Sequence, residues 1–576
     1  MSAPRVQLPA ATAPSIGLQR FLLLTAAVNG AVILVVEILG AKMVAPFLGT
    51  SHFVWTAQIG VTLVSLAAGY YAGGRVVDRW PRPGLLYAAM AMAALFLCLS
   101  VVLVRPVSFW CLDIGDLAVG ALLVSALLFF VPLALLAITL PFLTRVLTQS
   151  ITQVGGQVGR LSALSTLGSV AGTSLIGYIL LPRLANSTTM YCAAGLLLSL
   201  AGGYALCWGR AGRGSVAVVG LVAGLLMYGG WNDGRAAGSA AVRVLHRANS
   251  NFGELMVMES ANYYLVEGEA GEAAQPMRIL WREYVNDYLI QNNYDPESGK
   301  SLSLFTSALY GLPKIYTAAL RDVLCLGMGV GVVPMRFAAD GARVDVVEIN
   351  PGVVPLAQAH FDFKPDRVAL HLGDGRQFLN RTPRRYDAIV LDAFLGDSTP
   401  SHLMTREAFA AMRDRLQPEG VLVINSFGRG LDDEEQALAD AGDRRAFVFN
   451  RAEDYFTASL HRTLERVFGA DGVRIHASGN GNVFFVAARA GKGSVHHEPN
   501  FASLKPADNA FALEHPLLLR SPSRINRPEA MYRRIWKVAD GLGRVLTDDF
   551  NPVEFHDAGN RQRTRLHLAG AMRRRW

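Results

Sequence analysis

The sequence predicts a multi-domain chain: an α-helical transmembrane bundle followed by an open α/β domain with a mostly parallel sheet. Three observations predict it. The 576 residues are too many for one ordinary domain. Charge is segregated along the chain: residues 18–231 hold 11 Lys/Arg and only Glu37, Asp78, Asp113 and Asp116 as acids, whereas residues 232–576 hold 42 basic and 42 acidic side chains. From residue 322 onward, short apolar runs alternate with helical stretches, the pattern of a parallel sheet covered by helices.

Residues 1–17 read as a short N-terminal tail with one charge, Arg5. Crossing a bilayer as a helix takes about 20 apolar residues. Runs near that length occupy 20–45, 53–74, 84–104, 117–142, 161–182 and 187–208, and a shorter, glycine-rich one occupies 215–231. This gives six or seven spans within 18–231. Arg20, Arg75, Arg79, Arg82, Arg145, Arg160, Arg210 and Arg213 fall on one side of the bundle, against Arg105 and Arg183 on the other. The basic side is expected to be cytoplasmic. Seven full crossings would place the C-terminal domain outside; a non-crossing 215–231 keeps it inside.

Residues 241–300 read as a small antiparallel β domain, with strands near 242–246, 253–259 and 262–267. Residues 301–555 read as the α/β domain, with parallel strands at 323–326, 344–347, 368–371, 386–391 and 421–424, then strands at 472–476 and 482–488. Residues 556–576 form a basic tail; from Arg561 it holds six Arg and no acid, suited to an anionic membrane surface. The C-terminal region is otherwise charge-balanced, so the net charge of +8 does not indicate nucleic acid. Five cysteines without paired spacing, and histidines without ligand spacing, point to neither a disulfide framework nor a metal.

Four strand ends carry the chemistry. Gly327, Gly329 and Gly331 follow an apolar strand and open a helix, which lets the backbone turn tightly and approach a ligand. Glu348 ends the next strand about 20 residues on, where an acid can accept both hydroxyls of a ribose. Asp374 and Gly375 end the third strand, where Asp374 can accept an adenine amino group. Asp392 ends the fourth, placed to orient a substrate amine and accept its proton. Glu37, inside the first apolar run, is either one member of an ion pair with Lys42 or Arg79 or a membrane-embedded functional site.

With these residues in place, the chain resembles the spermidine synthase family, specifically its membrane-fused bacterial branch. The resemblance covers roughly 250–555 and continues into the membrane part, where Gly73-Gly-Arg-Val-Val-Asp-Arg79 resembles a loop of major facilitator transporters. Asp287-Tyr-Leu-Ile-Gln291 resembles a family segment whose Gln approaches the nucleoside. Val347-Glu-Ile-Asn350, Gly373-Asp-Gly375, Leu391-Asp-Ala-Phe394, Thr405-Arg-Glu-Ala-Phe409 and Leu546-Thr-Asp-Asp-Phe-Asn-Pro552 resemble other family motifs. The resemblance implies a Rossmann-like, methyltransferase-type fold and aminopropyl transfer from decarboxylated S-adenosylmethionine to an amine, with no metal. It assigns the nucleoside to Gln291, the glycine loop, Glu348 and Asp374, and proton acceptance to Asp392.

Three departures affect the acceptor half. Val330 stands where the family carries an Asp, Leu395 replaces the second catalytic-loop Asp, and Phe305-Thr306 replaces a Tyr-His pair. Asp397, Asp548 and Asp549 are the candidates to replace the missing acids. Two rival readings follow: a methyltransferase using S-adenosylmethionine itself, and a transporter or polyamine sensor whose nucleoside domain does not turn over. The expected partners are a small amine acceptor and membrane lipids, with a homo-oligomer allowed.

Overall fold

The computed structural model describes residues 15–49, 51–114, 116–148, 154–181, 183–209, 213–236, 242–266, 275–317, 319–394, 400–441, 447–477, 479–488, 515, 517, 528–563 and 565. They form two compact units, one within residues 1–236 and one comprising chiefly 237–576.

The first unit is all helical: α1 Ile16–Leu48, α2 His52–Arg79, α3 Pro83–Leu112, α4 Leu117–Ala137, α5 Thr139–Leu147, α6 Val154–Leu175, α7 Asn186–Cys207 and α8 Arg213–Ala236. Six helical stretches are long and apolar enough to cross a membrane, counting α4 and α5 as one and α6 with its π-helical end at Ile176–Leu180 as another. In α8 the apolar part, Gly214–Gly229, is shorter than these six.

Small residues set the helix spacing in this unit. A Cβ on Gly30 would lie 2.1 Å from the Ser165 carbonyl oxygen, and one on Gly168 would lie 1.9 Å from that of Ala27. Helices α1 and α6 therefore touch backbone to backbone, as small-residue interfaces allow. The Asn29 amide donates to the Leu136 carbonyl and its oxygen accepts from the Thr139 hydroxyl, tying α1 to the α4–α5 junction. Among the described residues, Glu37 makes no ion pair with Lys42 or Arg79, against the pairing the sequence suggested. Five residues along a helix place Glu37 and Lys42 on different faces, and the Arg79 guanidinium lies 5.5 Å from the Trp80 ring centre.

The second unit opens with an antiparallel sheet in the order β1 Val242–Ser250, β2 Gly253–Val266, β3 Gln275–Asn286, β4 Leu289–Asp295 and β5 Lys300–Ser301. The two segments expected at 253–259 and 262–267 are one strand. Its register against β3 runs unbroken from Leu255 opposite Asn286 to Val266 opposite Gln275, and that ladder overrides the local break at Ser260-Ala-Asn262.

Helix α9 Leu304–Tyr316 leads into the larger sheet. Its strands are β6 Asp322–Leu326, β7 Arg343–Glu348, β8 Ala369–Leu372, β9 Tyr386–Leu391, β10 Leu416–Gly430, β11 Val448–Phe449, β12 Val473–Ala477, β13 Asn480–Ala488 and β14 Ile535–Val538, and their order across the sheet is β8-β7-β6-β9-β10-β13-β12-β14-β11. The strands from β8 to β10 are parallel, and β13 is antiparallel to both β10 and β12. This is the Rossmann-like, methyltransferase-type arrangement. Helices α10 Val332–Ala339, α11 Val353–His360, α12 Gly375–Arg381, α13 Arg406–Asp414, α14 Asp433–Asp440 and α15 Tyr455–Phe468 connect and cover it, with short helices α16 Pro528–Arg533 and α17 Val553–His556 near the end. The chain leaves β6 toward β7 and β8, then returns to β9 on the other side of β6. A crevice must open at the carboxyl ends of β6 and β9, where ligands bind in such sheets.

Candidate active site

That crevice is a cleft of about 760 Å³, closed on one side by the small sheet. Seven of the eight nucleoside and catalytic candidates line it: Gln291, Gly327, Gly329, Glu348, Asp374, Gly375 and Asp392. Gly331 does not.

The glycine loop divides its tasks. Gly327 has φ +91°, and a Cβ there would lie 2.1 Å from the Asp392 carbonyl oxygen, so the β6 and β9 ends approach as closely as a bare backbone permits. Gly329, at φ +53°, faces open space within the cleft. Gly331, at φ +88°, caps α10, and a Cβ there would strike Phe363 at 2.4 Å. Gly331 shapes the turn and does not form part of the cleft wall.

Glu348 is held by its own backbone surroundings. One oxygen accepts the Met328 N–H at 3.0 Å and the other the Asn350 N–H at 2.8 Å. Burial pushes its carboxyl upward, against the lowering effect of these donors.

Asp374 caps α12, accepting the Gln377 N–H at 2.8 Å on one oxygen, while the other lies 2.8 Å from His402 Nε2. Burial raises its carboxyl, but the Gln377 N–H and His402 outweigh that and hold it below the usual range.

Asp392 lines the cleft at the end of β9. Burial in the cleft floor pushes its carboxyl up to about 6; Asn425 pulls it down by donating from Nδ2 to Oδ1 at 2.8 Å, and the Glu348 charge adds to the rise. It titrates just below neutral pH, where a carboxylate can accept a proton and release it again.

Gln291 reaches the cleft because β3 and β4 are joined by Asp287 and Tyr288, both at positive φ (45° and 61°). Two such residues make the tight turn whose twist suits a hairpin, and Asp287 Oδ1 fixes it by accepting the Glu254 N–H at 2.9 Å.

The acceptor candidates fare differently. Asp397 lies outside the described residues. Asp548 and Asp549 are not among the residues lining the cleft. Asp548 forms a two-point pair with Arg376 of α12, at 2.8 and 2.5 Å, and this lowers its carboxyl. Arg376 also donates to the His402 carbonyl, and Asn551 Nδ2 donates to the Ser401 carbonyl at 2.6 Å. The 548–551 segment thus clamps the 400–403 loop, whose Pro400, His402 and Leu403 line the cleft.

Sequence reasoning missed Asn425, His402 and Trp281, all of which line the cleft. Asn425 was findable: it is the first polar residue after the buried run Val421–Ile424, at the same edge of the sheet as the four strand ends. His402 and Trp281 carry no comparable local signal.

The fold and the strand-end site define a Rossmann-like domain with a cleft at the carboxyl ends of its parallel strands. Within it, residues 302–437 match the spermine/spermidine synthase domain family. The polyamine aminopropyltransferase of Vibrio vulnificus is 39% identical over 202 residues, covering 34% of this chain and 63% of that protein. An N-terminal histidine N-methyltransferase of Emericella nidulans is 32% identical over 124 residues, covering 21% of this chain and 22% of that one. A probable spermidine synthase of Corynebacterium glutamicum superposes with a TM-score of 0.32 at 17% identity, covering 43% of this chain and 81% of that one. The chain thus spans less than two thirds of the length of the curated relatives it matches here. Among the described residues, no three His, Cys, Asp or Glu side chains are grouped so as to hold a metal ion.

Proposed function

We propose that the protein transfers an aminopropyl group from decarboxylated S-adenosylmethionine to a primary amine, releasing methylthioadenosine, with its helical unit anchoring it in a membrane. The observation that carries this reading is the convergence of Gly327, Glu348, Asp374 and Asp392 from four strand ends on one cleft. Glu348 receives the ribose diol and Asp374 the adenine edge, with Gln291 along the nucleoside. This leaves the sulfonium and its aminopropyl chain beside Asp392.

Asp392 takes a proton from the acceptor ammonium. The freed nitrogen attacks the carbon attached to sulfur, the carbon–sulfur bond breaks, and its electron pair neutralises the sulfonium. The new secondary amine carries the remaining positive charge. Most of the acceleration comes from alignment of nucleophile and leaving group. The sequence likeness to the Vibrio aminopropyltransferase supports this chemistry over a longer stretch than the likeness to the methyltransferase does.

Six crossings would return the chain to the side of its N-terminus. This reading places the Arg-rich loops and the catalytic unit at the cytoplasmic face, where a nucleoside donor is available.

The purified full-length protein, given decarboxylated S-adenosylmethionine and a mixture of amines, should release methylthioadenosine. Asp392→Asn should still bind methylthioadenosine and should lose turnover. Full turnover in that variant would remove Asp392 from the mechanism.

A further inference from the structure

Two residues of the cleft wall are joined although the sequence keeps them apart. Asp374 follows β8 and His402 lies in the short turn Ser401–Leu403, and both line the cleft. Their side chains meet at 2.8 Å, His402 Nε2 to Asp374 Oδ2, while Asp374 Oδ1 accepts the Gln377 N–H at 2.8 Å. Each oxygen of the carboxylate therefore has its own donor, which fixes how the group is turned. Burial works against its charge, but the two donors outweigh burial and hold it below the usual carboxylate range. An ionised carboxylate only accepts, so the proton of this contact sits on His402 Nε2. Neutral imidazole and imidazolium can both supply it.

His402 is itself fixed by its surroundings. Arg376 Nη1 donates to its carbonyl at 3.1 Å, and Asn551 Nδ2 donates to the neighbouring Ser401 carbonyl at 2.6 Å. The Leu403 N–H closes the turn on the Pro400 carbonyl at 3.0 Å. Arg376 follows Asp374 closely on the same helical turn, so two hydrogen bonds, one in each direction, join the start of α12 to the turn that carries His402.

We propose that His402 is a positioning residue for nucleobase selection: by donating to Oδ2 it presents Asp374 as an ionised, oriented acceptor, so that the cleft takes 6-aminopurine nucleosides and rejects their 6-oxo counterparts. This rests on the reading that Asp374 receives the adenine edge. An amino group donates to an ionised carboxylate. A 6-oxo oxygen brings a second acceptor against the charge and leaves both groups unsatisfied. Without the His402 donor the carboxylate can turn and takes up a proton more easily, and a protonated carboxyl can donate to a 6-oxo oxygen. Loss of His402 therefore narrows the discrimination.

The test titrates the full-length protein in detergent with methylthioadenosine and with methylthioinosine, its 6-oxo analogue, by calorimetry. The parent protein should favour methylthioadenosine by at least about tenfold. His402→Phe keeps a ring and removes the donor; it should narrow that ratio by about fivefold, chiefly through weaker binding of methylthioadenosine. His402→Gln, whose amide can donate to the same oxygen, should restore the ratio. The His402 side chain is half exposed, so neither substitution disturbs a packed core. An unchanged ratio in His402→Phe, equal weakening of both nucleosides, or no recovery in His402→Gln would overturn the proposal and leave the adenine reading in place. A parent protein that does not prefer methylthioadenosine would remove the adenine reading itself, and the proposal with it.

Discussion

Replacing Asp392 by Asn should abolish turnover and, above neutral pH, stabilise the protein. The native environment raises this carboxyl from 3.8 to about 6, with burial as the main cause. The folded state therefore holds a proton, between those two values, that the unfolded chain has released. Stability falls as pH rises through that window and is level above it. About two units at 1.36 kcal/mol each set an upper bound of roughly 3 kcal/mol on the cost of the ionised group. Asn is nearly isosteric, carries no charge and can still accept from Asn425 Nδ2. The gain of Asp392→Asn over the parent should be near zero at pH 3.5, grow from pH 4 to 6, and stay constant to pH 8. Paired thermal-unfolding curves of the full-length proteins in the same detergent, collected across this range, measure it. A variant that is less stable than the parent at pH 8, or a difference that does not vary with pH, would refute the claim that the fold disfavours this charge.

Other outcomes follow from the same geometry. Asn425→Ala removes the donor that favours the Asp392 anion. A hydrogen bond to a charged group contributes ~1.5–3 kcal/mol, so the acid limb of the kcat/KM profile should move up by one to two pH units; an unmoved limb would show that this bond does not tune the base. Glu348→Gln should weaken methylthioadenosine binding by about 10–100-fold, the same magnitude lost at the ribose, with calorimetry as the readout. Gly327→Ala should fail to fold stably, because its Cβ would sit 2.1 Å from the Asp392 carbonyl, whereas Gly329→Ala, facing open space, should cost only ~1 kcal/mol of backbone strain. Asp548→Asn breaks a partly exposed ion pair worth at most ~1 kcal/mol; it should raise KM for the nucleoside donor through the loosened 400–403 loop and leave KM for the amine unchanged.

What the sequence revealed and what it hid have a common physical cause. The glycine turn, Glu348, Asp374 and Asp392 are each announced locally: an apolar strand ends, and the residue that follows has the chemistry a strand end can present. The helical stretches of the first unit are equally local, since a long apolar run needs no partner to be recognised. The parts that stayed hidden depend on pairing at a distance. The Asp548 carboxylate looked available for a substrate, yet Arg376, 172 positions earlier, occupies it. His402 reaches Asp374 across 28 residues and Asn425 reaches Asp392 across 33. The continuity of β2 is decided by twelve partners on β3 and not by its own propensity. Gly331 was grouped with its neighbours on spacing alone, although Phe363 behind it accounts for its place.

The most direct test of the central claim is to identify the nucleoside that leaves the enzyme. The full-length protein would receive S-adenosylmethionine and its decarboxylated form together, isotopically distinguished, with 2-phenylethylamine and putrescine present, and the products would be read by mass spectrometry. The account predicts methylthioadenosine derived only from the decarboxylated donor, together with an amine heavier by one aminopropyl group. S-adenosylhomocysteine with a methylated amine, or neither nucleoside product while the donor is demonstrably bound, would contradict it.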